Sequence, residues 1–191
     1  MPLDALDDIS DDALLVLYAN GDKTAAQALT MRLTPMVFSL ANRVLNDRAE
    51  AEDVAQEAML RLWKMAPDWR QGEAKVSTWL YRVASNLCTD RLRKRKGIGL
   101  DEIAEPKDET PDMVTRIHTV NRAAALRQAL EKLPERQRKA VVLRHFEGLA
   151  NPEIASVLHI SVEAVESLIA RGKRSLGVLL LGRKDELGLE E

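Results

Sequence analysis

Cysteine occurs once in the 191 residues, at Cys88, and a single thiol excludes an internal disulfide framework. That usage fits a reducing compartment. Histidine is found only at His118, His145 and His159, too scattered for a Cys/His metal centre. Aromatic residues make up 4% of the chain, so a core has to be built mainly from Ala, Leu, Val and Ile. No apolar run approaches the ~20 residues of a membrane span, and the acidic stretch Met1–Asp12 is unlike a signal peptide. Nucleophile–base pairs, metal-ligand spacings and phosphate-cradling glycine loops are also missing. The expectation is a cytoplasmic protein with no direct membrane contact, no catalytic residue, no metal and no cofactor.

What is present is charge, in blocks. The formal net charge of −2 conceals −5 over residues 1–12, +5 over 13–96, −3 over 97–125, +5 over 126–184 and −4 over 185–191. Two basic units are thus separated by an acidic connector and flanked by acidic ends. A near-neutral whole argues against a nucleic-acid partner; the block distribution argues for one.

Periodicity is helical almost throughout, and β-branched residues are sparse. A short helix is expected from Asp12 to about Asn20, then a longer one from Lys23 to Leu45, kinked or broken at Pro35. Asp47 is placed to cap a helix reaching Met65, with Pro67 preventing smooth continuation. Ser77 or Thr78 is expected to cap a long helix to Lys96. Residues 97–113 carry two glycines, two prolines and many acids without an apolar stripe, and read as a flexible linker. Beyond it, helices are expected over 114–133, 135–146, 152–158 and 162–181, with Pro134 in the first turn of the second. The architecture predicted is all-α: a helical domain over 1–96, the acidic linker over 97–113, and a second helical domain over 114–191.

Three constellations carry functional content. In the C-terminal unit, Ile154, Ala155, Leu158, Ile160, Val165 and Leu168 follow helix-turn-helix spacing, with Ala155 small where two helices cross. Ser161 is placed to cap the second of these helices, and His159 sits at a turn position where glycine is common. Arg171, Lys173 and Arg174 make that helix basic, which favours DNA recognition over a plain helix pair. In the N-terminal unit, Trp79, Tyr81, Arg82, Asn86, Arg91, Arg93, Lys94, Arg95 and Lys96 gather aromatic, amide and cationic groups on one helix. Cations hold phosphates and an amide reads a base edge, while Trp79 and Tyr81 are expected half in the core. The third constellation, Asp47–Trp63, crowds acids at a helix start, where the helix dipole alone favours them. They also form a polar face able to dock a basic partner.

The order of these segments resembles a known family. "DRAEAEDVAQEAMLRLW", then "STWLYRVASNLCTDRLRKRK", an acidic linker, and "LPERQRKAVVLRHFEGLANPEIASVLHISVEAVESLIARGKRSL" look like an extracytoplasmic-function (ECF) type bacterial sigma factor over roughly residues 12–181. The resemblance implies that Asp47, Glu50, Asp53, Gln56, Glu57 and Arg61, supported by Leu60 and Trp63, dock on the β′ clamp helices of core RNA polymerase. It implies that Asn86 lies near a flipped-out base of the −10 promoter element, with Arg82 and Arg91, Arg93, Lys94, Arg95 and Lys96 on the strand backbone. In the C-terminal unit, Ser167, Ala170 and Arg171 fall at positions that approach the −35 bases, and Arg144, Lys173 and Arg174 at phosphate-contacting or helix-positioning sites. Control by an anti-sigma factor is implied as well.

Departures from the pattern are Glu166 and Leu168, where basic residues are common, with Glu163 adding another acid; Glu166 should repel phosphates, weakening −35 affinity or altering base preference. Two other functions stay open at this level. One is a sigma mimic that captures an anti-sigma factor without engaging promoters; the other is an unrelated two-domain helix-turn-helix repressor. Cys88 is expected to pack in a helix interface rather than act as a redox sensor. The linker permits the two units to be either closed on each other or splayed.

Overall fold

The computed structural model describes residues 6, 8–72, 74–97 and 114–181; the linker from 98 onward and the acidic tail lie outside them. Eight α-helices follow in order: α1 (Asp11–Ala19), α2 (Lys23–Leu45), α3 (Arg48–Met65), α4 (Val76–Gly97), α5 (Val114–Glu131), α6 (Glu135–His145), α7 (Asn151–Leu158) and α8 (Val162–Leu181). A 3-10 turn at Ala66–Asp68 follows α3, and there is no strand among the described residues. The fold is all-α with two helical domains, α1–α4 and α5–α8.

Short polar side chains set the helix starts. Ser10 accepts from Ala13 N–H, Asp22 from the N–H groups of Thr24 and Ala25, and Asp47 from Glu50 N–H. Each satisfies orphan donors of a first turn. The fourth helix departs from expectation: it begins at Val76, so Ser77 and Thr78 lie inside its first turn and the carbonyl of Lys75 accepts from Trp79 N–H. Pro134 is likewise the residue preceding α6 rather than part of its first turn.

Pro35 neither ends nor divides α2, which runs unbroken over 23 residues. The carbonyl orphaned by a proline belongs to the residue four positions earlier. Here that residue is Met31, 66% exposed, on the outward face with Pro35, so water can satisfy it. The opposite face of α2 supplies Leu29, Leu33, Val37, Leu40 and Val44 to the core, packed chiefly against α3 and also against α1 and α4.

In the C-terminal domain, Ile154, Val157, Val165 and Leu176 are buried, with Ala155, Leu158, Ile160 and Ile169 packed around them. Helix α8 crosses α6 at Gly172, where a Cβ would lie 2.6 Å from Val141 Cγ2 and 3.4 Å from the carbonyl of Gln137. His159 adopts the left-handed turn between α7 and α8 at φ 53°, and Ser161 accepts from Ala164 N–H to start α8.

Of the two arrangements the linker permits, the structure has the closed one. Helix α4 lies on α7, and α2 lies on α5 and α6.

Candidate nucleic-acid interface

Helix α3 separates its residues by face. Ala51, Val54, Ala55, Ala58, Met59 and Leu62 are buried, whereas Asp53, Gln56, Leu60 and Arg61 are exposed and Glu57 is half-buried. Leu60 stands out at 50% exposure on an otherwise polar surface. Arg61 pairs with Glu57 at 2.9 Å along the helix, as does Arg48 with Glu52. Trp63 turns partly inward, its ring 4.7 Å from that of Tyr18 and tilted by 57°. Asp53, Gln56 and Leu60 therefore share an outer stripe, and Trp63 braces the helix from behind.

The basic end of α4 folds back on α3. Arg95 makes a two-pronged pair with Glu50 at 2.7 and 3.3 Å, approaches Asp47 at 3.3 Å, and donates to the carbonyl of Leu45 at 3.0 Å. Arg91 lies 3.6 Å from Asp53 and Arg93 lies 3.8 Å from Asp90. Residues read from the sequence as a DNA-facing group (Arg91, Arg95) and a polymerase-facing group (Asp47, Glu50, Asp53) are thus joined to each other. Lys94 and Lys96 are exposed, Arg82 is half-buried, and Asn86 points outward from the surface of α4. Tyr81 is buried, and Trp79 is half-buried against the core.

On α8, Arg171 is exposed and donates to the hydroxyl of Ser167 at 2.6 Å, one turn back. Ala170, Lys173 and Arg174 are exposed beside it. Arg144 donates to the carbonyl of Leu149 at 2.9 Å, which ties the loop between α6 and α7. Glu166 is exposed on the same helix, and Glu163 in its first turn has a carboxyl held below the usual range by its own backbone N–H and by Ser161. Leu168 has a physical reason to be apolar. It lines a cleft of about 300 Å³ shared with Leu158 and Ile160 on one wall and Asn86 and Arg93 on the other.

Several polar residues absent from the sequence-based set bind the two domains. Lys139, 4% exposed, donates from α6 to the carbonyl of Ser85 at 2.8 Å and to the hydroxyl of Thr89, both on α4, and to Glu135 at 2.8 Å. Thr89 in turn donates to Glu135 at 2.9 Å. Burial works to raise the Glu135 pKa, but the hydrogen bond and charge of Lys139, with Thr89, hold it below the usual value. Glu147 accepts from Ser39 at 2.8 Å and from Tyr81 at 3.1 Å, beside Arg43 at 3.5 Å. Burial foremost, then the charge of Glu147, pushes the Tyr81 phenol far up. Arg43 also stacks 4.8 Å from the Phe146 ring centre. Lys75 pairs with Glu153 at 2.9 Å.

No group of three or more His, Cys, Asp or Glu among the described residues could hold a metal ion, and no described helix is long and apolar enough to cross a membrane.

Comparison with known proteins agrees with this arrangement. The Sigma-70 region 2 family matches residues 29–98, and the Sigma-70 region 4 family matches residues 123–176. The RNA polymerase sigma-H factor of Pseudomonas aeruginosa is 33% identical over 177 residues, covering 87% of this chain and 91% of that protein. The ECF RNA polymerase sigma factor SigW of Bacillus subtilis is 34% identical, covering 82% of this chain and 89% of its own. For SigM of Mycobacterium tuberculosis the values are 33%, 90% and 85%. Among solved structures, CnrH in complex with the cytosolic domain of CnrY superposes with a TM-score of 0.70 at 25% identity, over 90% of this chain and 97% of that one. The sigma factor RpoE of Bartonella quintana, solved with the anti-sigma factor NepR, shares the fold at a TM-score of 0.62 and 20% identity. With both sigma regions in order on one chain, and relatives matched over nearly their whole length, the protein belongs to the ECF-type RNA polymerase sigma factors.

Proposed function

We propose that this alternative sigma factor, which directs RNA polymerase to promoters, divides the task among three helices. The exposed stripe of α3 (Asp53, Gln56, Leu60, with Glu57 and Arg61) docks on core polymerase. Helix α4 handles the −10 element through Asn86, with Arg82, Arg93, Lys94 and Lys96 on the backbone, joined by Arg91 and Arg95 when they leave the α3 acids. Helix α8 reads the −35 element with Ser167, Ala170 and Arg171, while Lys173 and Arg174 hold phosphates. The domain division follows the same line, residues 1–96 and 114–191, with 97–113 between.

The single observation that supports this best is the isolated exposure of Leu60 beside Asp53 and Gln56. A half-exposed leucine ringed by polar groups is the composition of an interface anchor rather than of a solvated helix face. The helix N-terminal acids give the patch the sign that suits a basic partner helix. Melting a base costs a few kcal/mol, which an amide pocket together with phosphate contacts is needed to offset.

Control by an anti-sigma factor belongs to the same proposal. CnrH was solved bound to the cytosolic domain of another protein, and it shares this chain's arrangement over most of its length.

Run-off transcription with purified protein and bacterial core polymerase on a genomic promoter library tests the assignment. Start sites absent with core alone are expected, with Asp53→Arg abolishing them. Stable polymerase binding of the Asp53→Arg variant would displace the docking surface from α3. Absence of any start site with the unaltered protein would favour the mimic that binds an anti-sigma factor only.

A further inference from the structure

We propose that the cleft between α4 and the helix-turn-helix is a binding site for a small aliphatic carboxylate, a hydrocarbon chain with one anionic head. The cleft holds about 300 Å³, the low end of the range for small-molecule sites. Its two walls differ in chemistry. Val157, Leu158, Ile160 and Leu168, from α7, the turn and α8, make one of them aliphatic. The other carries Asn86 and Arg93 of α4 with Glu135, Arg136 and Lys139 of α6. Three cations thus share the cleft with one carboxylate, and that carboxylate is already engaged, accepting from Lys139 at 2.8 Å and from Thr89 at 2.9 Å. Two guanidinium groups remain as surplus charge. Arg136 is exposed, and Arg93 meets Asp90 at 3.8 Å, longer than a hydrogen bond. A guanidinium donates more strongly to an ionised carboxylate than to a neutral acceptor. Asn86 adds an amide donor beside them.

The aliphatic wall decides the tail. Leu168 stands where the resemblance expects a basic residue, and with Leu158 and Ile160 it is only half removed from water. Wet apolar surface is a cost that a hydrocarbon chain relieves by displacing the water. Among the described residues no aromatic ring lines the cleft, so a nucleobase would have nothing to stack on. Lys139, 4% exposed, is held by the Ser85 carbonyl, Thr89 and Glu135. That leaves Arg93 and Arg136 to take the head. On the reading of α4 given above, Asn86 and Arg93 hold the −10 strand, so the ligand's head and the strand compete for the same donors.

Octanoate is the probe, with octanol and acetate as its two halves. Calorimetry on the full chain should show saturable binding of octanoate and none of either half. In NMR spectra the methyls of Leu158, Ile160 and Leu168 and the side-chain amide of Asn86 should shift together. Arg136→Glu changes an exposed residue outside those assigned to DNA or polymerase. It should weaken octanoate by about tenfold or more, the loss of one hydrogen bond to a charged group, with helicity unchanged by circular dichroism. Arg136→Lys should recover part of that loss, and Leu168→Asn should weaken binding through the other wall. No saturable binding overturns the site. Octanol matching octanoate overturns the role of the cations, and acetate matching it overturns that of the wall. Shifts confined to the exposed Val178 and Leu181 overturn the cleft as the place. With core polymerase on a promoter found by run-off transcription, octanoate should lower transcription by the unaltered protein and spare Arg136→Glu. Equal inhibition of both overturns the competition. Normal transcription by Asn86→Ala defeats the reading of α4 instead, and calorimetry with NMR still decides the cleft.

Discussion

Arg95 and Arg138 close the same helix end from opposite sides. Arg95, on α4, donates to the carbonyl of Leu45 at 3.0 Å; Arg138, on α6, donates to the adjacent carbonyl of Val44 at 2.5 Å. The last carbonyls of α2 have no partner within their own helix, and its negative dipole end attracts cations. Arg138 also reaches the carbonyls of Glu131 and Leu133, so one guanidinium gathers the ends of α2 and α5. Asn46 turns the chain there in a left-handed conformation at φ 51° and donates to Glu131 at 3.0 Å. The end of α2 is where both domains are tied.

Substituting Gly172 tests the crossing of α6 and α8. An alanine Cβ would fall 2.6 Å from Val141 Cγ2, with the Gln137 backbone blocking retreat. Gly172→Ala should therefore destabilise by about 1–3 kcal/mol through overpacking, despite the gain of about 1 kcal/mol that alanine brings to a helix. Urea denaturation measures the loss. Adding Val141→Ala should recover part of it; no recovery would place the strain elsewhere.

Acid should open the closed arrangement. Glu153 is held below its usual 4.5 by the hydrogen bond from Lys75 and the N–H of Ala150. Glu135 is also held below 4.5, Lys139 and Thr89 outweighing the opposing effect of burial. For a depressed carboxyl, the stabilisation is complete above the ordinary value and lost as pH falls through the folded one. Scattering should show the domains closed at neutral pH and separating as pH drops below 4.5. Lys75 runs the other way: its pKa is raised by Glu153, so the rim pair weakens only as pH climbs past 10.5.

Cys88 should be unreactive in the native protein. It is fully buried, and burial pushes its thiol up to about 12, against the lowering effect of Lys139 and Arg91. Thiolate is the reacting species, so a disulfide reagent at neutral pH should label it only at the rate of unfolding. Fast stoichiometric labelling would contradict the packing of α4.

Substitutions on the two proposed surfaces should separate cleanly. Arg171→Ala is expected to weaken −35-dependent binding by about fivefold or more, since a bidentate guanine contact contributes ~1–3 kcal/mol. Core-polymerase binding should stay unchanged. Leu60→Glu should do the reverse. Filter binding and polymerase pull-down give the two readouts, and parallel losses in either variant would merge the surfaces.

Much of this was legible in the sequence, for physical reasons that differ by element. The caps at Asp47 and Ser161 and the left-handed turn at His159 are local, and local rules predict them. Pro35 leaves α2 unbroken because its cost depends on which way one carbonyl faces, a matter of the helix's orientation in the fold rather than of proline itself. Ser77 and Thr78 are both good caps, yet Val76, buried at the helix start, draws the first turn back past them. Arg91 and Arg95 are cations in any pattern; that they point at Asp53 and Glu50 follows only from how α3 crosses α4. Lys139 and Glu147 lie in different segments from their partners, and no periodicity links position 147 to position 39.

The pairing of Arg95 with Glu50 and Asp47 means that the protein carries its own counter-ions. If α4 holds the strand backbone as proposed, carboxylates occupy the places that phosphates would take, and a nucleic acid arriving there exchanges one anion for another instead of meeting bare cations. Released carboxylates then recruit cations from solution, offsetting part of those that the nucleic acid sheds. The slope of affinity against salt would accordingly undercount the phosphates contacted. Any partner that occupied the acids of α3 first would raise both the affinity and that slope.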